Sequence, residues 1–326
     1  MMKKVELHCH FDGSFDPDYL SELAGRDVTS EVSGRGSTSL AEFLKRFDLP
    51  LALSQTPERL ERLAELLAKS LAADGVIYAE VRFCPFLHTT EIGDVNVDQV
   101  IASVLKGLQS VPELQTGLIF CMTRELSSEK NRQIIDLAQN WRSKGVCGVD
   151  LAGNEVAHPN QEFLELFDYA KSLQLPLTIH AGEAASHRSV DAVISAYPHL
   201  RIGHGVRAIE SPETISRLIQ YNIPLEVCLS SNIDTGIYPS LAEHPIKRLL
   251  NLGVNVTINT DDRTVSDINL EHEYQLLREV HGLTDADFLR CNLNAARAAF
   301  ADNETKHWII SQLVADSCYN ENVQTI

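Results

Sequence analysis

Two histidines stand one residue apart, His8 and His10, in "VELHCHFDGSF", and a carboxylate, Asp12, follows two positions on. In an extended strand residues i and i+2 share a face, so both imidazoles aim at one point while Cys9 between them turns toward the outside. Two imidazoles on one point suit a divalent metal. "TIHAGE" adds His180 and Glu183, "RIGHG" adds His204 between glycines, and "INTDD" adds Asp261 and Asp262. Adjacent acids at the end of an apolar run are costly unless partnered. Three nitrogens, from His8, His10 and His180, and one oxygen, from Asp261, make a zinc-type donor set with room for a water. The ion would lower the pKa of that water toward neutrality. A lone histidine near a strand is ordinarily a packed or surface residue, but four such groups at four strand ends do not fit that explanation. His88, His158, His187, His199, His244, His272, His281 and His307 lack any such setting and read as surface or packing residues.

The elements that must position these groups are legible as eight short apolar, β-branched runs. They are "KKVELHCHF", "GVIYAEVRFCP", "TGLIFCMTR", "GVCGVDLAG", "LPLTIHAGE", "LRIGHGV", "IPLEVCLSSN" and "VNVTINTDD". They are continuous, as strands buried on both faces are. Amphipathic segments separate most of them: "TPERLERLAELLAKSLAADG" has leucines at helical spacing, a Thr-Pro start and a Gly stop, and "SSEKNRQIIDLAQNWRSKG" and "SPETISRLIQYN" repeat the plan. Strand then helix, eight times over, predicts an α/β fold of the (β/α)8 barrel type, with extra helices between strands one and two and at the C-terminus. An open doubly wound sheet is the rival, but it commonly carries a Gly-rich phosphate turn after its first strand, where this chain has histidines. A barrel builds its active site at the C-terminal ends of its strands. There the chain has His8 and His10, then Asp150, Gly153 and Glu155, then His180 and Glu183, His204, "CLSSN", and Asp261 with Asp262. The segment before strand two contains "VSGRGSTS" and reads as a loop or helical insertion with a mobile Gly/Ser-rich piece. The polar tail "NENVQTI" is expected to fray. No linker divides the chain, so residues 1–326 read as one domain.

Composition narrows the partners. The formal net charge of −17 on 326 residues repels phosphate backbones and anionic bilayers, which argues against nucleic acid and membrane surfaces. No run is long enough to span a bilayer, and the N-terminus has no apolar leader. The seven cysteines are scattered with no CxxC pair, which suits reduced thiols in a cytoplasmic protein.

Taken in order, "HCHFDGS", "VDLAGNE", "HAGEAAS", "RIGHG", "EVCLSSN", "LAEHPIKRLL" and "NTDDRTVSDINLEHEY" resemble the motifs of the adenosine deaminases, from residue 5 to about residue 280. The resemblance implies a (β/α)8 barrel with one zinc per chain. It also implies hydrolysis of the 6-amino group of adenosine, and of 2′-deoxyadenosine, to inosine or deoxyinosine and ammonia in purine salvage. By matching motif, His8, His10, His180 and Asp261 would hold the zinc. Glu183 would protonate N1 of the purine, and His204 would take the proton of the attacking water or hold that water in place. Asp262 would orient the water by accepting its hydrogen bond. The Gly153 N–H would bind N3, Asp12 would bind the 5′-hydroxyl, and His10 and Asp262 would also border the substrate. Cys84, Asn154 and Arg263, and a serine in "CLSSN", depart from the commoner family residues and bear on pocket shape.

Three rivals are weighed against this. A deaminase of adenine or another 6-aminopurine typically has "EG" where this chain has "DG". A two-metal amidohydrolase needs a bridging lysine at strand four, where "VDLAG" stands. A catalytically silent binding relative does not explain the intact ligand set with Glu183. The PCxxC signature of the cytidine-deaminase type is absent.

Overall fold

The computed structural model describes residues 2–89, 95–197 and 200–323, with side chains to residue 317. The expectation for His199, the Cys318 side chain and the tail beyond Val323 lie outside these residues. Up to Val323 the tail continues the helix Asn303–Val323.

All eight expected runs form strands: β1 (Lys4–His10), β2 (Val76–Phe83), β3 (Gln115–Thr123), β4 (Val146–Ala152), β5 (Thr178–Ala181), β6 (Arg201–His204), β7 (Leu225–Val227) and β8 (Val256–Ile258). Each pairs in parallel with the next, in two runs, β1 to β4 and β5 to β8. Single bridges join the runs, Val149 with Leu177 and Cys9 with Asp261, and these close the barrel. At the second seam the His10 N–H donates to Asp261 O at 2.7 Å and the Asp261 N–H to His8 O at 2.8 Å. Side chains extend it: Leu7 N–H donates to Asn259 Oδ1, and Thr260 donates its N–H and its hydroxyl to Glu6 Oε2.

The apolar core lies between strands and helices. Helix Pro57–Ala73 shows why its sequence folds so: Thr56 caps it by accepting from Arg59 N–H, Pro57 sits in the first turn, and Leu60, Leu63, Leu67 and Leu71 are buried along one face. Each buried leucine contributes about 1.5–3 kcal/mol, so Leu67→Ala costs about 2–5 kcal/mol. The barrel interior is polar instead. There buried Glu80, Arg82, Asp150, Arg201 and Glu226 meet one another and His8, whereas Lys4 turns to Asp74 and Glu271 and Glu6 to Thr260, a register shift in β1 separating Glu6 from Cys9.

One expectation is corrected. "CLSSN" is not a strand end, because β7 stops at Val227 and Leu229–Asp234 is a short helix. The insertion after β1 carries helices at Pro17–Ala24, Thr29–Val32, Leu40–Phe43 and Asp48–Leu53, as the helical reading expected, and in its glycine-rich piece Val32, Gly34 and Ser37 are buried while Arg35, Gly36, Thr38 and Ser39 are exposed. Gly34 is buried, and a Cβ there would lie 2.6 Å from Phe43 and 2.7 Å from Val265.

Candidate active site

The strand ends bring four sequence-predicted donors together. His8, His10, His180 and Asp261 each offer a ligand atom, and those atoms lie within 4.8 Å of one another. Asp261 Oδ1 is 3.1 Å from His8 Nε2 and 3.3 Å from His10 Nε2, and His10 Nε2 is 3.3 Å from His180 Nε2. Four ligands about 2.0–2.1 Å from a tetrahedral ion stand roughly 3.3 Å apart, so the donor set fits zinc. Two further observations support the fit. His8 Nε2 is buried without a hydrogen bond. The opposite ring nitrogens are occupied: His8 Nδ1 donates to Glu226 Oε2 at 2.8 Å and His180 Nδ1 to Asp150 at 3.1 Å. A carboxylate on Nδ1 puts the ring proton there and leaves the Nε2 lone pair for a metal.

Arg82 ties these two carboxylates together. It donates from Nη1 to Asp150 at 2.9 Å and from Nη2 to Glu226 at 2.8 Å. Burial works against the charge on Asp150, yet His180 and Arg82 hold its carboxyl well below the usual range. Glu226 is likewise held down against burial by Arg82 and Arg201.

The remaining predicted residues surround the donor set. Glu183 is 3% exposed, and burial, reinforced by the charges of Asp261 and Glu155, pushes its carboxyl well above the ordinary value. Its backbone is anchored by Glu155, which accepts from the N–H groups of Gly182, Glu183 and Ala185. His204 Nε2 stands 3.8 Å from Glu183 Oε2 and 3.7 Å from Asp261 Oδ2, and burial keeps this ring neutral. Asp261 and Asp262 are pushed apart. Burial opposes ionisation of Asp261, but His8 and His204 hold it low, while burial and the Asp261 charge raise Asp262. Asp262 Oδ1 is buried without a hydrogen bond. It lies where a Cβ on Gly13 would be, 1.9 Å away, so only glycine fits after Asp12. His204 and Asp261 both adopt left-handed backbone, φ 58° and 65°, a strain of about 1–3 kcal/mol each that clusters at functional sites.

These groups floor a cavity of about 380 Å³ whose walls include His10, Gly153, His180, Glu183, His204, Asp261 and Asp262. Its roof is apolar and comes from the insertion: Leu40, Phe43, Leu44, Phe47 and Leu51. Cys84 lines the wall, whereas Arg263 turns away, donating to Asp74 Oδ2 and Ser70 Oγ at 3.1 Å each. Asn154 turns its side chain to the N–H groups of Val156 and Ala157. A larger cavity, about 620 Å³, opens beside Met2 and Lys3 at the start of β1 and holds none of these groups.

Asp12 is not among the residues lining the cavity. Its Oδ1 lies 2.6 Å from His88 Nε2, and the far side of that ring meets Ser54 Oγ at 3.0 Å. His88 is thus not a surface residue but a fully buried partner of a site residue. His244, set aside in the same way, is buried and reaches His204 through Asn232. Arg82, Glu226 and Asn232 were not singled out in the sequence. The signal for the first two was present: Glu80 with Arg82, and Glu226 two before Cys228, are charges at inward-facing spacing within apolar runs.

The chain matches the family model described as Adenosine deaminase over residues 3–316. A protein named Adenosine deaminase from Haemophilus ducreyi is 37% identical over 329 residues, covering 95% of each chain. Among solved structures, Arabidopsis ADAL complexed with IMP superposes with a TM-score of 0.88 at 28% identity, covering 98% of each chain. An amidohydrolase from Burkholderia ambifaria with bound Zn shares the fold, with a TM-score of 0.88 at 24% identity over 100% of this chain and 93% of that one. Among the described residues no helix is long and apolar enough to cross a membrane.

Proposed function

The chain belongs to the adenosine deaminase family, and we propose that its reaction is hydrolysis of the 6-amino group of adenosine or 2′-deoxyadenosine, giving inosine or deoxyinosine and ammonia with one zinc per chain. The observation that carries this is the buried three-nitrogen, one-oxygen donor set with a protonation-prone carboxyl, Glu183, beside it in one cavity. His8, His10, His180 and Asp261 would hold the metal, which when bound supplies Lewis-acid activation of water.

The chain's own residues do the rest. Attack at C6 moves electrons onto N1 of the purine. Glu183, protonated in its buried setting, delivers a proton to N1 and so stabilises the transition state more than the ground state. Asp262 and His204 flank the attacking water; between them they orient it and take its proton. The apolar roof of Leu40, Phe43 and Phe47 covers the base and excludes bulk water. The Gly153 N–H binds N3. Asp12, with Oδ1 held by His88, offers its other oxygen to the 5′-hydroxyl. The same proposal takes residues 1–326 as one catalytic domain acting on a small molecule in the cytoplasm, without nucleic acid or membrane.

A substrate panel tests it: adenosine, 2′-deoxyadenosine, adenine, 5′-methylthioadenosine and AMP, followed by the ultraviolet change on deamination. Adenosine and deoxyadenosine should turn over best. Adenine or AMP turning over better than adenosine would overturn the nucleoside assignment.

A further inference from the structure

His204 stands at the end of a directional chain of buried hydrogen bonds that starts at a backbone amide. The Ile246 N–H, which can only donate, points at His244 Nδ1, 3.3 Å away. His244 is 3% exposed, and burial pulls its pKa down to about 3, so the ring is neutral. A neutral imidazole that accepts at Nδ1 carries its proton on Nε2. That proton meets Asn232 at 3.1 Å, so the Asn232 atom facing His244 is the carbonyl oxygen. The amide NH2 of Asn232 therefore turns the other way, toward His204 Nδ1, also at 3.1 Å. His204 Nδ1 is then an acceptor, and the proton of its neutral ring sits on Nε2, aimed between Glu183 Oε2 and Asp261 Oδ2.

We propose that Asn232 and His244 are positioning residues that lock His204 in the tautomer protonated on Nε2, so that His204 serves the reaction as a hydrogen-bond donor to the attacking oxygen and not as its base. This rests on the deaminase reading above. The opposite tautomer would need Asn232 to turn over, which sets its NH2 against the His244 Nε2–H. If His244 changed tautomer as well, its Nδ1–H would face the Ile246 N–H. Either way two donors meet in a buried place with no acceptor between them. Packing supports the native arrangement: Asn232 is fully buried on the short helix after β7, and the Tyr238 ring stands edge-on to His244 at 5.2 Å. The proton that the attacking water gives up then falls to Asp262, the other group that the deaminase reading sets beside that water.

The test is nitrogen NMR of the metal-loaded protein carrying 15N-labelled histidine, with the His204 signals assigned by their loss in His204→Ala. A lone-pair shift for Nδ1 and a protonated shift for Nε2 are expected. The reverse pattern overturns the proposal whatever the protein's substrate, and because this reading needs no turnover it is separate from failure of the deaminase assignment. Asn232→Asp offers His204 Nδ1 only acceptor oxygens. It should move the proton to Nδ1 and lower kcat by on the order of 10²-fold, the scale of losing one positioned donor, with KM little changed. His244→Gln keeps an N–H for Asn232 and should hold near-native kcat, while His244→Leu should lose about 10-fold. Equal kcat in the Gln and Leu variants would sink the positioning role of His244.

Discussion

Glu183→Gln gives two opposite effects if this carboxyl is a desolvated acid, and neither effect implies the other. The substitution keeps shape and hydrogen-bonding reach but cannot deliver a proton to N1. General acid catalysis contributes at least about 10²-fold, so kcat should fall by that factor or more, about 2.7 kcal/mol of barrier, with metal content unchanged. Stability should move the other way. Unfolded, the carboxyl titrates near 4.5; folded, burial and the charges of Asp261 and Glu155 raise it well above that. Between the two values the folded chain holds a proton that the unfolded chain has released. Stability therefore falls as pH rises through this window, by up to about 1.4 kcal/mol per pH unit from this group. Glutamine carries no such loss, so the variant should gain on the native protein from acid pH toward neutrality. Denaturant unfolding at a series of pH values, on protein of matched metal content, reads the gain. The native kcat should correspondingly decline on the alkaline side, as the acid loses its proton. Near-native turnover in Glu183→Gln would show that another group supplies the proton. Stability curves that run parallel with pH would show that Glu183 is not the desolvated acid described.

Asp261→Ala removes a ligand and should strip both the transition metal, by elemental analysis, and activity; an active variant without metal would refute the ligand assignment. Asp150→Asn leaves the ligands in place but takes the carboxylate from His180 Nδ1, and chelator competition should show metal affinity down by about 10- to 100-fold. Asp12→Ala should lower kcat/KM for adenosine by roughly 10- to 150-fold, from the about 1.5–3 kcal/mol of a charge-assisted hydrogen bond. With 5′-deoxyadenosine it should change little, and equal losses on both substrates would mean that Asp12 acts through His88 on the structure.

The ligands were legible because their chemistry is local: i and i+2 on one strand for His8 and His10, and acids or histidines at the ends of apolar runs for the rest. The groups that orient them were not, because they act across the barrel. Arg82 meets Asp150 from 68 residues away and Glu226 from 144, and no single-strand period reports such a pairing. His88 and His244 are lone histidines in irregular segments, where sequence gives no sign of burial. Asp12 follows the alternation of β1 on paper, but the strand ends at His10 and the chain turns at once, with Ser14 N–H donating to Phe11 O. Alternation ceases to apply there, and Asp12 ends with one oxygen against His88. "SSN" was misplaced because a six-residue helix is too short to impose its own period.

The seam between β8 and β1 has a consequence for how the protein comes into being. His8 and His10 lie on one side of it and Asp261 on the other, and the same Asp261 backbone forms the bridge that closes the ring. A chain leaving the ribosome thus exposes His8 and His10 first, and must wait for some two hundred and fifty further residues before Asp261 can reach them. Strand order makes this partnership the most distant in the barrel, and distant pairings form late. No partial translation product short of β8 can hold the complete site, so the first turnover of a newly made molecule comes only after the first and last strands of its barrel have met.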